Sequence, residues 1–88
     1  MKLKNGFVLR EIAGETIVVS VNSTLNLHGI IKLNSTAQTL WRALESGVES
    51  IDDLTNALTG EYDVDEIIAH RSAEDFIAKL KELDFLED

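Results

Sequence analysis

Apolar residues change their spacing once along this chain. Between Phe7 and Val21 they form two runs, FVLREIA (Phe7–Ala13) and ETIVVSV (Glu15–Val21), rich in β-branched side chains and separated by Gly14. That pattern predicts a β-hairpin, because glycine supplies the positive φ that a tight hairpin turn requires. The alternation is imperfect: Phe7 and Leu9 fall on one face, Val8 and Ile12 on the other. Both faces of the sheet are therefore expected to be partly apolar, with something covering the second face at least in part. NSTLNLH (Asn22–His28) is polar and reads as a loop. GIIKL (Gly29–Leu33) reads as a third short strand, and no further strand-like run follows until the last few residues. One edge of this sheet is then third-strand backbone, with unpaired N–H and C=O groups.

Beyond Leu33 the period lengthens to that of a helix. Asn34 or Ser35 can cap a first helix in which Ala37, Leu40, Trp41 and Leu44 recur on one side, and Gly47 stops it. Ser50 followed by Asp53 resembles a capping box, and a second helix carries Leu54, Ala57 and Leu58 to Gly60. Asp63 with Glu66 gives another such signal. The third and longest helix places Ala69, Ala73, Phe76, Ile77, Leu80 and Leu83 on one stripe. The order is β-β-β-α-α-α, an α+β fold read as one domain over residues 1–88. Leu33 is the last inward residue of the sheet, and Asn34 turns the chain into the helices with no linker. Leu33 and Trp41 are expected to be buried.

Composition narrows the function more than the fold. The chain has no cysteine, so neither disulfides nor thiolate metal sites are available. His28 and His70 stand alone, without metal-ligand spacing, so no metal is expected. No hydroxyl pairs with a His and an acid in a catalytic pattern, and there is no glycine-rich phosphate loop. The reading is a binding module with no catalytic residue and no cofactor. Met1–Gly6 is polar and no apolar run approaches a membrane span, which points to a cytoplasmic protein without a membrane partner. Sixteen acids against eight bases give a net charge of −8. That charge repels phosphate backbones and disfavours nucleic acid as a partner. Asp52 and Asp53, and Glu61, Asp63, Asp65 and Glu66, lie near helix N-termini, where the helix dipole accounts for them without catalysis.

Four segments together resemble the PqqD family: GFVLREIAGETIVV, GIIKLNSTAQTLWRAL, LTGEYDVDE and AEDFIAKLKELDFLE. That family comprises small peptide chaperones of quinone-cofactor and other ribosomal-peptide modification pathways, and its fold is called the RiPP recognition element. The resemblance covers nearly the whole chain. It implies a three-stranded sheet on a winged-helix-like trihelical unit. It also implies that the chain binds the leader segment of a precursor peptide and presents it to a modifying enzyme, often a radical SAM enzyme. One position departs: Ser72 stands where the family frequently has an acid. If that acid contacts the leader, Ser72 changes the leader sequence preferred.

The physical reading of the residues agrees with this. A disordered leader can add to an exposed strand edge through main-chain hydrogen bonds, while pockets beside the edge select alternate side chains. The candidate edge is Gly29, Ile30, Ile31, Lys32 and Leu33, with Ile31 and Leu33 facing the core and Ile30 facing out. Lys32 reads equally as a leader contact or as a charge that blocks edge-to-edge aggregation. The third helix would form the groove floor through Ile68, Ser72, Asp75 and Lys79, with Phe76 at the boundary of the core stripe. The opposite flank, Ile67, His70 and Glu74, is the other choice, and a helical wheel alone does not decide between them. Two rival readings are a structural adaptor that docks to an enzyme and a winged-helix nucleic-acid-binding domain; the acidic charge argues against the latter. An open edge also permits self-pairing, so the chain is expected to be a monomer or a weak dimer.

Overall fold

The computed structural model describes residues 2–20 and 31–87. Its elements are β1 (Lys2–Leu3), β2 (Phe7–Ile12), β3 (Glu15–Ser20), β4 (Ile31–Leu33), α1 (Ser35–Glu45), α2 (Ile51–Glu61), α3 (Glu66–Glu82) and β5 (Leu86–Glu87). The α+β order expected from the sequence is present. The predicted loop Asn22–His28, and Gly29 and Ile30 of the predicted third strand, lie outside the described residues.

β2 and β3 form an antiparallel hairpin in which Ile12 stands opposite Glu15. The loop is therefore Ala13-Gly14, and both residues have positive φ, 54° and 82°. That combination defines a type I′ turn, whose twist matches that of the strands. β4 adds antiparallel to β3, with Ile31 opposite Val18 and Leu33 opposite Thr16. The sheet order is β2-β3-β4, so among the described residues the outer side of β4 is an edge. Val18, Ile31 and Leu33 belong to the core, and half-buried Phe7 and Leu9 pack against it. The other face carries half-buried Val8, Ile17 and Val19 and an exposed Ile12, so it too is partly apolar.

The corner between sheet and helix is made by one residue. Asn34 has extended backbone and its Oδ1 accepts from the Ala37 N–H at 2.9 Å, the N-cap geometry that satisfies an otherwise orphan donor. The Asn34 carbonyl accepts from Gln38 N–H at 2.9 Å, and the Gln38 side chain reaches back to the Leu33 carbonyl at 3.5 Å. α1 ends in a Schellman motif. Gly47 (φ 105°) donates to Leu44, and Val48 donates to Ala43. Ser50 caps α2 through a 3.0 Å bond from the Asp53 N–H, as the sequence predicts. α2 runs one residue past Gly60, to Glu61.

The start of α3 corrects the sequence reading. The cap is Asp65, whose Oδ1 accepts from Ile67 N–H at 2.8 Å, rather than Asp63 paired with Glu66. The chain stays extended to Asp65 because Tyr62 and Val64 both pack against the core. The Tyr62 hydroxyl also donates to the Ser35 carbonyl at 3.1 Å, which ties the α2–α3 connection to the first turn of α1.

A second small sheet is absent from the sequence reading. β1 pairs antiparallel with β5, Lys2 opposite Glu87 and Leu3 opposite Leu86. It is reached by a second Schellman motif at the end of α3, with Asp84 (φ 64°) in the left-handed position. Phe85, 1% exposed, then stacks on Phe7 at 4.2 Å and meets Trp41 edge-on at 6.3 Å. Trp41 is 1% exposed, and its Nε1 has no hydrogen-bond partner among the described residues. Leu33 is 4% exposed, so both residues expected in the core are there.

Candidate functional site

β4 is short, but its surroundings are fixed. Its inward side chains, Ile31 and Leu33, are buried, and Lys32 between them points to the outer face of the sheet. There the Lys32 ammonium lies 2.7 Å from a Glu15 carboxylate oxygen on the neighbouring strand. Lys32 is thus held on the face away from the core, while the edge itself presents backbone.

Next to the end of β4, a cleft of about 270 Å³ opens between α1 and α3. From α3 it is lined by Ser72, Asp75, Phe76 and Lys79, and from the corner and α1 by Asn34, Thr36, Ala37 and Leu40. Leu40 and Phe76 are buried and Ala37 half-buried, so the floor is apolar; the rim is polar. The helical period explains the set, since Ser72, Asp75, Phe76 and Lys79 are spaced to share one side of α3. The cap at Asn34 explains the other wall: it starts α1 at once, which brings Thr36 and Ala37 against α3.

Four of the helix residues singled out from the sequence are therefore brought together here. Ile68 is not part of the cleft lining; it lies one turn earlier on α3 and is 60% exposed. Ile31 and Leu33 contribute backbone rather than exposed side chains, and Gly29 and Ile30 lie outside the described residues. The other flank of α3 looks elsewhere. His70 Nδ1 is 3.1 Å from Glu74 and its Nε2 is 3.9 Å from Asp52 at the start of α2, so this flank faces the α2 side. The cleft lining also includes Asn34, Thr36, Ala37 and Leu40, which the sequence reading does not place beside the third helix. Their signal was present in the strand-to-cap junction, which forces the first turn of α1 to border whatever lies beside β4.

A larger cavity, about 340 Å³, opens at the other end of α1 between Leu3, Phe7, Trp41 and Val48, and shares no lining residue with the cleft. Among the described residues there is no group of three or more His, Cys, Asp or Glu that could hold a metal ion. Among the same residues no helix is long and apolar enough to cross a membrane. Residues 43–70 hold eight carboxylates and neither lysine nor arginine, so the whole excess of acid lies in that stretch. The cleft, by contrast, carries one acid and one base, Asp75 and Lys79.

Fold and cleft together define a class of protein: a small α+β domain in which an open strand edge borders a helix-lined cleft. Residues 15–86 match the family described as coenzyme PQQ synthesis protein D (PqqD), and the chain belongs to that family. Among solved structures it is similar to TbiB1 in complex with the TbiA(beta) leader peptide, at 25% identity over 99% of this chain and 95% of that one, with a TM-score of 0.75. It also shares its fold with a lasso peptide synthetase B1 complexed with the leader peptide, at 24% identity over 92% of this chain and 89% of that one, with a TM-score of 0.69. No curated protein matches it.

Proposed function

We propose that this chain is a non-catalytic peptide chaperone that binds the leader segment of a ribosomally made precursor peptide and presents it to a modifying enzyme, a radical SAM maturase. The leader adds as an antiparallel strand along β4 and rests on α3. The observation that carries this reading is the unpaired outer side of β4, among the described residues, set beside the cleft between α1 and α3. An edge supplies main-chain hydrogen bonds to any sequence, and a pocket beside it selects side chains at every second position. The cleft is smaller than the roughly 300–1,000 Å³ usual for small-molecule sites, and it suits side chains of an extended peptide better than a free metabolite. The TbiB1 complex, a neighbour over nearly the full length of this chain, has a leader peptide bound.

The assembly explains why so short a strand suffices. Asn34 joins β4 directly to α1, and Tyr62 joins α1 to the turn before α3. Edge and cleft are held in position before the ligand arrives, so the ordering cost falls on the peptide alone. Ile68, exposed on α3 one turn before Ser72, extends the apolar surface available to the leader.

The test is a titration of the purified protein with the leader of its precursor, followed by amide chemical shifts. Micromolar or tighter binding is expected, with shifts centred on Ile31–Leu33 and α3. Shifts confined to Phe7–Ile12 would place the ligand on the opposite edge, and tight, salt-sensitive binding of duplex DNA would replace this function with another. The maturase is tested separately, by asking whether the purified enzyme modifies the precursor faster when this chain is added.

A further inference from the structure

Resting on the leader-binding reading above, we infer that Asp75 and Lys79 read the leader by charge. The leader places an apolar side chain on the floor made by Ala37, Leu40 and Phe76. An acidic side chain to one side of it meets Lys79, and a basic one to the other side meets Asp75.

Three observations lead there. First, both charges line the cleft, and both are exposed at its rim while the floor between them is apolar. Second, among the described residues neither takes part in an ion pair, although Lys4 and Lys32 are each within 2.8 Å of a carboxylate oxygen. Asp75 and Lys79 are one turn apart, close enough to pair with each other, yet both remain available. Third, the residues that line the cleft carry one acid and one base, so an incoming peptide meets two opposite charges there. Charges at the rim of an interface fix register and reject wrong partners more than they add affinity. A backbone-paired strand needs such a device, because main-chain hydrogen bonds are repeated along the strand and fit a peptide shifted along it equally well.

The experiment uses a library of random twelve-residue peptides displayed on phage and selected on the purified protein. Selection is repeated on Lys79→Glu, on the double swap Asp75→Lys with Lys79→Asp, and on Glu49→Lys as a charge control outside the cleft. Peptides from the wild type are expected to share an apolar residue flanked by one acid and one base in a fixed order. A synthetic peptide of that sequence should bind the double swap about tenfold more weakly, and the same peptide with its two charges exchanged should regain the loss. Glu49→Lys should leave the affinity within about twofold. Circular dichroism of each variant checks that these exposed substitutions leave the fold intact. If selected peptides shift the amides of β4 yet carry no charge order, or bind wild type and double swap alike, the charge code is wrong and the leader-binding reading stands. If no selected peptide shifts β4 or α3, the reading fails and the charge code with it.

Discussion

Replacing Leu33 with alanine removes a branched side chain that is 4% exposed at the point where β4 becomes α1. At about 0.8 kcal/mol per buried CH2, the lost transfer free energy alone is roughly 2–2.5 kcal/mol. The remaining cavity adds to this, up to the ~5 kcal/mol ceiling seen for buried leucines. The structure places Leu33 toward the lower part of that range. Its chain neighbour Asn34 lines an open cleft, as does Leu40, so the surroundings can partly collapse. A loss of about 2.5–3.5 kcal/mol is therefore expected. Against roughly 4–13 kcal/mol for a domain of this length, that is a large share of the total. Urea unfolding followed by the fluorescence of Trp41, which is 1% exposed, reads the effect directly. With a urea slope of about 1–2 kcal/mol/M, the midpoint should fall by roughly 1.3–3.5 M at unchanged slope. A loss well under 1 kcal/mol would refute the placement of the core at this corner.

Other substitutions probe separate parts of the same structure. Trp41→Phe should cost less than about 1.5 kcal/mol by thermal unfolding, because it removes a buried N–H that has no partner among the described residues, along with some packing; Trp41→Ala should cost about 3–5 kcal/mol. Ser50→Ala should cost about 1 kcal/mol in urea unfolding, since it takes the acceptor from the Asp53 N–H. Gly47→Ala should destabilise by about 1 kcal/mol although its Cβ would meet no atom within 4 Å, because φ of 105° disfavours any side chain. Ala13→Asn should raise the melting temperature slightly, by about 0.5 kcal/mol of stability, because asparagine tolerates the φ of 54° that alanine adopts there.

Where the sequence was readable, it was because the signal was local. Gly14 between two β-branched runs marks the hairpin, and the stripe from Ala69 to Leu80 marks α3 and its buried side. The strand-to-cap junction at Leu33 and Asn34 is equally local, and it located the corner correctly. The β1–β5 sheet was not readable: each strand has two residues, too few for a period, and their partners stand at opposite ends of the sequence. Phe85 was overlooked for the same reason, since its burial depends on Phe7 and Trp41. The cap of α3 was misplaced by two residues because Asp63, Asp65 and Glu66 all fit the pattern. What decides between them is the anchoring of Tyr62, a tertiary contact to α1. The two flanks of α3 were likewise equivalent by periodicity. Their difference appears only when α1 packs beside Ser72 and Asp75, and Asp52 approaches His70.

The β1–β5 clasp has a consequence for where the fold is closed. Lys2 and Glu87 lie side by side, at the end of α1 where Leu3, Trp41 and Val48 meet, whereas the cleft borders its first turns. Eleven residues of helix, about 16 Å, separate the two ends of α1. The clasp therefore joins residues far apart in the sequence at a place that shares no residue with the cleft lining.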